Sequence, residues 1–269
     1  MPELPEVETV ARRLAAHATG RRILAVHVLD EKQDGVALAR LVGNRIATVR
    51  RMGKQCVLEL RRPRRRHVER YLAVHLRMTG HLYWADALPD DVRHLRVRLD
   101  LDRGMVLFED LRRFGRLTVH EDLASLEPVG LDPTTADFTT AALHRLLADS
   151  RQPIKPWLLR QDRLVGLGNI YASEILFAAR ILPDRAAGSL DAGERRRLHR
   201  ATRQILRRAI DAAGTTYYAL EAGRRVRGTF REQLAVYGQD GDACRRCGEP
   251  VRRSVQAQRS TYYCAGCQE

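Results

Sequence analysis

Leu95-Arg96-Val97-Arg98-Leu99-Asp100-Leu101-Asp102 alternates apolar and charged residues without a break. A period of two puts the leucines and Val97 on one face and the charges on the other, so 92–101 reads as a half-buried strand. Working outward, similar short runs occupy 22–29, 45–50, 54–61, 70–77, 104–109 and 116–120, with turn residues such as Asp102-Arg103-Gly104 between them. One amphipathic helix over 6–18 precedes them. Val7, Val10, Ala11, Leu14 and Ala18 form its apolar stripe, and Thr19-Gly20 ends it. One helix followed by many short strands predicts a sandwich or barrel. The character changes at Glu127-Pro128-Val129-Gly130-Leu131-Asp132-Pro133, which reads as a linker. Beyond it the periodicity is helical over 137–148, 154–161, 168–180 and 190–213, with Ser189 as a candidate N-cap. A polar, Arg-rich loop spans 221–231, and a cysteine module follows.

The 269 residues carry a formal charge of +14 and a pI of about 10.3, which favours a polyanionic partner, nucleic acid ahead of a membrane surface. Only Lys32, Lys54 and Lys155 are lysines; the other 44 basic residues are Arg. That bias reflects base composition in part, and a site that keeps Lys is one where guanidinium does not substitute. No apolar run approaches the ~18–20 residues of a membrane span. The N-terminus lacks a basic leader and an apolar core, so a cytoplasmic protein is expected.

Cys244-x2-Cys247 and Cys264-x2-Cys267, sixteen residues apart, have the spacing of two tight turns that clamp one tetrahedral ion. Four thiolates suit one structural Zn²⁺ and leave no open position for catalysis; a rubredoxin-like iron site is the lesser alternative. Arg252, Arg253, Arg259, Tyr262 and Tyr263 lie between the pairs, a composition fit for gripping a nucleic-acid backbone. Cys56 stands alone in an apolar run and reads as a small buried hydrophobe.

The first residues are Met1-Pro2-Glu3-Leu4-Pro5-Glu6-Val7-Glu8. Removal of Met1 would leave Pro2 with a secondary α-amine whose pKa near ~8 keeps an appreciable part neutral and nucleophilic at pH 7, and which forms a cationic iminium with an aldehyde. Glu3 beside it suits general acid–base work. The plain alternative is a processed start, with Pro5 at the first helical position and Glu6 and Glu8 favouring the helix dipole. Gly166-Leu167-Gly168-Asn169-Ile170 opens a helix in the manner of an anion site, or of a tight helix–helix turn. Asp110-Leu111-Arg112-Arg113-Phe114-Gly115 reads as an exposed turn with an aromatic at its tip, suited to insertion between bases. Met78 occupies another turn, where a gap-filling core role is the plain alternative.

Together these stretches resemble the Fpg/endonuclease VIII family of DNA glycosylases, on its formamidopyrimidine-DNA glycosylase side. The carrying residues are Pro2–Thr9, Arg51-Met52-Gly53-Lys54, His75-Leu76-Arg77-Met78-Thr79-Gly80, Arg112-Arg113-Phe114-Gly115, Ile154-Lys155-Pro156-Trp157-Leu158, Gly166–Glu174, Ala257-Gln258-Arg259 and the four cysteines. They run collinearly over the whole chain.

The resemblance implies a multidomain α+β protein. Residues 1–130 would form a catalytic β-sandwich, 131–235 a helical domain with a helix–two-turn–helix motif, and 236–269 a zinc ribbon. It implies a monomeric glycosylase and AP lyase acting on double-stranded DNA that contains oxidised bases or abasic sites, excising 8-oxoguanine and formamidopyrimidines. Pro2 is then the Schiff-base nucleophile, Glu3 the proton shuttle and Lys54 the lysine near phosphate and base. Lys155, Asn169 and Arg259 grip phosphate, and Met78, Arg112 and Phe114 fill the gap left by the flipped base. There are two departures, both leaving the chemistry intact, and the first, the loop, touches lesion preference. Residues 221–231 lack the Gly-Lys-Pro-Gly-Tyr-Phe type of sequence expected over the damaged base, and Leu111 stands where a Pro is expected. The alternatives are an oxidised-pyrimidine glycosylase of endonuclease VIII type and a non-catalytic zinc-containing DNA-binding protein.

Overall fold

The computed structural model describes residues 2–215, 218–221 and 224–269, and side chains outside 216–227. The chain divides into two compact units. One is Met1–Glu127 with Ala213–Gly228, the other Pro128–Ala212 with Thr229–Glu269.

In the first unit, Glu3 is the extended N-cap of α1 (Leu4–Ala18). A capping box closes the helix start, and Pro5 sits in the first turn, where a missing N–H costs nothing. The expected stripe of Val7, Val10, Ala11, Leu14 and Ala18 is buried. There follow β1 (Ile23–Val28), α2 (Gly35–Ala39), β2 (Arg45–Met52), β3 (Gln55–Arg61), β4 (Arg70–His75), β5 (Gly80–Ala85), β6 (Leu95–Leu101), β7 (Met105–Asp110) and β8 (Arg116–His120). Two four-stranded antiparallel sheets result, ordered β1-β6-β7-β5 and β2-β3-β4-β8.

One core fills the space between the sheets. Leu58, Leu60, Leu72, Val74 and Leu117 meet Leu82, Val97, Leu99, Val106 and Phe108, and α1 closes it with Val7, Val10 and Leu14. Each such side chain contributes about 1.5–3 kcal/mol by leaving water. The alternation that opened the sequence reading is realised in β6, where Val97, Leu99 and Leu101 are buried.

Two elements of this unit have no counterpart in the sequence reading. β5 buries residues on both faces and so offers no alternation to read, and α2 is a five-residue turn of helix. The stretch expected as a loop over 221–231 contains backbone strands instead. β9 (Tyr218–Glu221) pairs antiparallel with β10 (Arg224–Arg227). Of the lesion-loop departure, Ala222 and Gly223 lie outside the described residues, as does Met1.

The second unit holds α3 (Thr140–Leu147), α4 (Ile154–Leu158), α5 (Asn169–Ala179), α6 (Ala192–Asp211), β11 (Arg252–Gln256) and β12 (Arg259–Tyr263). α6 is capped by Asp191 in a capping box with Glu194, which displaces Ser189 from that role. α4 stops at Leu158, short of the expected 161, because two turns connect it to α5. Gln161 holds those turns: its Nε2 donates to Leu159 O and Leu167 O, and its Oε1 accepts from Gly166 N at 2.9 Å. α5 is buried on nearly every side and is the spine of the unit. From it the Glu174 carboxylate accepts the backbone N–H groups of Ala235, Val236 and Tyr237, each at 2.9 Å. Burial pushes the Glu174 pKa up, and those three donors oppose the rise. Among the described residues no helix is long and apolar enough to cross a membrane.

Phe108, 1% exposed, sits at the centre of the sandwich. Phe108→Ala should destabilise the first unit by about 3–5 kcal/mol. Urea unfolding followed at Trp84, on β5 of that unit, measures it.

Candidate functional site

The chain start is fixed by carboxylates. Glu3 N donates to Glu6 Oε2 at 2.9 Å, and the Glu3 carboxylate accepts the backbone N–H of Glu6. Glu6 is fully buried, and its Oε1 accepts from Thr215 N at 2.8 Å and Thr215 Oγ1 at 3.1 Å. Gly214 makes this approach possible: it has φ +75°, and a Cβ there would lie 2.5 Å from Glu6 Oε1. Glu6 therefore does more than favour the helix dipole. It pins the backbone one residue beyond the half-buried Pro2 to the segment that leads into β9.

A second anchor reaches the Lys54 turn. Arg51 Nε donates to Glu8 Oε2 at 2.9 Å, and Arg51 Nη1 donates to Gly53 O at 3.2 Å. Gly53, with φ +57°, turns the chain between β2 and β3 and presents Lys54, which is half-buried. His75 at the end of β4 feels that lysine. Desolvation, with the charges of Arg77 and Lys54, pushes its pKa down to about 4. The neutral ring accepts the Arg77 backbone N–H on Nδ1 at 3.1 Å, so the ring proton is assigned to Nε2.

Met78 is 44% exposed and Phe114 46% exposed. Exposure removes the core-filling reading of Met78 and agrees with the exposed turn expected for Phe114. The Arg112 guanidinium stacks over the Phe114 ring at 4.6 Å.

In the second unit the three expected phosphate-grip residues gather at one hairpin. Its turn, Ala257-Gln258, has φ +46° and +60°, the two positive values of a type I′ turn, although neither residue is Gly. Arg259 follows, exposed. Asn169, at the start of α5, donates from Nδ2 to Ser260 O at 2.9 Å. Lys155 is wholly buried, and its Nζ donates to the same carbonyl at 2.9 Å and to Thr261 Oγ1 at 2.7 Å. The sequence reading has Lys155 facing phosphate; in the structure this ammonium supports the hairpin from beneath.

The cysteine Sγ atoms all lie within 4.8 Å of one another. Cys244 and Cys267 are 3.8 Å apart, and Cys247 and Cys264 3.4 Å. Tetrahedral Zn²⁺ with Zn–S near ~2.3 Å requires S···S separations of about 3.8 Å, so the four fit a structural zinc ion. Against desolvation, the backbone N–H groups of Arg246 and Cys247 draw the Cys244 thiol down to about 7, towards the thiolate a metal needs.

With these sites described, comparison with known proteins gives one answer. Residues 1–117 match the formamidopyrimidine-DNA glycosylase N-terminal domain, 129–219 its H2TH domain, and 241–269 the zinc finger found in FPG and IleRS. The chain belongs to the formamidopyrimidine-DNA glycosylase family. It is a DNA glycosylase of base-excision repair. The formamidopyrimidine-DNA glycosylase of Chloroflexus aurantiacus is 41% identical, covering 100% of this chain and 98% of the relative. The Escherichia coli protein is 39% identical, over 100% of both. A mutant Lactococcus lactis Fpg in complex with Fapy-dG-containing DNA superposes with TM-score 0.88 at 30% identity, covering 100% of each chain. The Thermus thermophilus protein gives 0.84 at 38% identity, covering 99% and 98%.

Sequence reasoning missed the residues that hold the segments of this candidate site in place. Glu6, Thr79, Asp110 and Glu174 contact partners distant in sequence, and His75 lies inside a quoted motif without a role assigned to it. An acid at the end of an apolar strand, as in Val106-Leu107-Phe108-Glu109-Asp110, is the one local signal that marks any of them.

Metal analysis should find one zinc per chain, and Cys264→Ser should lose it along with duplex-DNA affinity; retained tight binding without metal would refute a structural zinc. His75 gives a pH signature. Its folded pKa lies below the ~6.5 of an unfolded His, so its contribution is intact above about pH 6.5 and is lost as pH falls towards 4. Denaturant midpoints should decline over that window in the parent and less steeply in His75→Gln.

Proposed function

We propose that the protein excises oxidised purines, 8-oxoguanine and formamidopyrimidines, from duplex DNA and then cleaves the abasic product by β- and δ-elimination. The observation that carries this reading is the double use of carboxylates at the chain start. Glu6 fixes the Glu3 backbone, and the capping box fixes the Glu3 carboxylate, within one residue of the amine that Met1 removal would free. An amine and a carboxyl group held side by side suit attack on a sugar carbon with proton transfer alongside.

In this mechanism the Pro2 nitrogen bonds to C1′ as the glycosidic bond breaks, and the base leaves with its bonding pair and takes up the proton that the Pro2 nitrogen gives up. Glu3 protonates O4′ as the C1′–O4′ bond opens, leaving the cationic iminium. Loss of a C2′ proton then expels the 3′ phosphate, and a second elimination expels the 5′ phosphate. Water returns Pro2 to the free amine. With Met1 attached, Pro2 is an amide without a basic lone pair, and none of these steps is open to it.

Lys54 serves near the phosphate and base. Asn169 and Arg259 hold the backbone, with Lys155 shaping that grip, and Met78, Arg112 and Phe114 occupy the vacated stack. Residues 1–130, 131–235 and 236–269 divide the labour as catalytic, DNA-gripping and zinc segments. The enzyme works as a monomer in the cytoplasm, on the chromosome.

Borohydride trapping on an 8-oxoguanine·C duplex tests the reading, with oxidised-pyrimidine and abasic duplexes in parallel. An adduct is expected on the purine and abasic substrates from protein that starts at Pro2. Faster trapping on the oxidised pyrimidine would reassign the lesion class, and no adduct on any duplex would end the lyase mechanism. Pro2→Gly should lose most trapping while keeping DNA affinity. Glu3→Gln should slow base excision by roughly 10²–10⁴-fold, the usual weight of a general acid–base group.

A further inference from the structure

The turns that bear the insertion residues are far apart in sequence. Met78 lies between β4 and β5, whereas Arg112 and Phe114 lie between β7 and β8. Hairpins on separate loops normally move independently, and each is ordered separately when it enters a stack of bases. Here they meet at Asp110, the last residue of β7, which is 1% exposed and pairs in register with Gly80 on β5.

Both Asp110 oxygens are engaged. Oδ1 accepts from Thr79 Oγ1 at 2.5 Å and from Arg112 N at 3.2 Å, and Oδ2 accepts from Gly115 N at 2.7 Å. Thr79 Oγ1 in turn accepts from Arg112 N at 3.1 Å. The Arg112 N–H is thus shared between the two residues, and the Thr79 proton is committed to the carboxylate. One neighbour of Met78 and the backbone on both sides of Phe114 therefore hang on one buried group.

The same loop is pinned from its other side. Arg113, at φ +56°, forks onto Asp30 with contacts of 2.6 and 3.1 Å. Gln33 Nε2 donates to Gly115 O, and Gln33 Oε1 accepts from Leu117 N, both at 3.0 Å. A Cβ at position 115 would lie 2.5 Å from Phe108 Cζ, so the turn has no room to relax towards the core.

We infer that Asp110 and Thr79 are positioning residues that lock the Met78 turn to the Arg112–Phe114 turn, so that the three insertion residues enter the duplex as one preorganised body. This rests on the assignment of Met78, Arg112 and Phe114 to the vacated stack. Asp110 and Thr79 are assigned no contact with the reacting sugar or the base. They act by removing the need to order two loops separately during extrusion, a step that a ready-made abasic site demands less.

The test compares single-turnover excision on an 8-oxoguanine·C duplex with lyase action on a preformed abasic duplex. Thr79→Val keeps the shape of the side chain and removes the linking hydroxyl. It should lower excision roughly tenfold, as expected for one hydrogen bond to a buried charge, and leave lyase action within about twofold. Asp110→Asn places an NH2 where one oxygen accepted, and should lower excision further; its melting temperature checks that it folds, and Thr79→Val alone decides if it does not. In a Phe114→Ala background, Thr79→Val should add almost nothing, because its route of action is already gone. Additive losses, or equal losses of excision and lyase action, would overturn the inference. So would unchanged excision in Thr79→Val when Phe114→Ala is impaired, with the insertion assignment left standing. Normal excision in Phe114→Ala itself would overturn the assignment and the inference together.

Discussion

A carboxylate taken out of water holds its charge only when its lone pairs are met. Glu6, Asp110 and Glu174 are each at most 2% exposed, and each meets that demand largely with backbone N–H groups. The donors come from irregular segments: the chain start and residue 215, the turns at Thr79 and at Arg112–Gly115, and the approach to the zinc module. In a chain with an excess of Arg, the few acids withdrawn from solvent act as fasteners for irregular backbone. Removing any one would leave several donors orphaned at once, which costs more than the loss of an ordinary surface contact.

This constraint explains what the sequence could and could not disclose. The sandwich was legible because Val97, Leu99 and Leu101 must share a face, and the α1 stripe because Val7, Val10 and Leu14 must. The zinc module was legible because four cysteines at that spacing suit one tetrahedral metal ion. β5 was not, since a strand buried on both sides carries no alternation. Nor was the partner of Glu6: Thr215 is far along the chain, and no periodicity links them. Asp110 looked like a turn residue beside two arginines; its ties to Thr79 and Gly115 exist only once β5 and β7 are paired.

Lys155 shows the same limit from the other direction. Its rarity in an Arg-rich chain marked it as special, and the structure buries its ammonium beneath the hairpin, donating to Ser260 O and Thr261 Oγ1. Rarity did not reveal which way the side chain faced. Lys155 and Asn169 both donate to Ser260 O, so the position of Arg259, one residue earlier, depends on two helices of the same unit as well as on the zinc site.

Cys56 is sealed in the sandwich core at 0% exposure, and burial pushes its thiol pKa well above the ordinary value. Every other sulfhydryl belongs to the C-terminal ribbon. The folded protein therefore carries its own reporter: a thiol-reactive dye has nothing to attack except metal-site sulfur, and its colour counts ribbons that have opened while remaining blind to the sandwich.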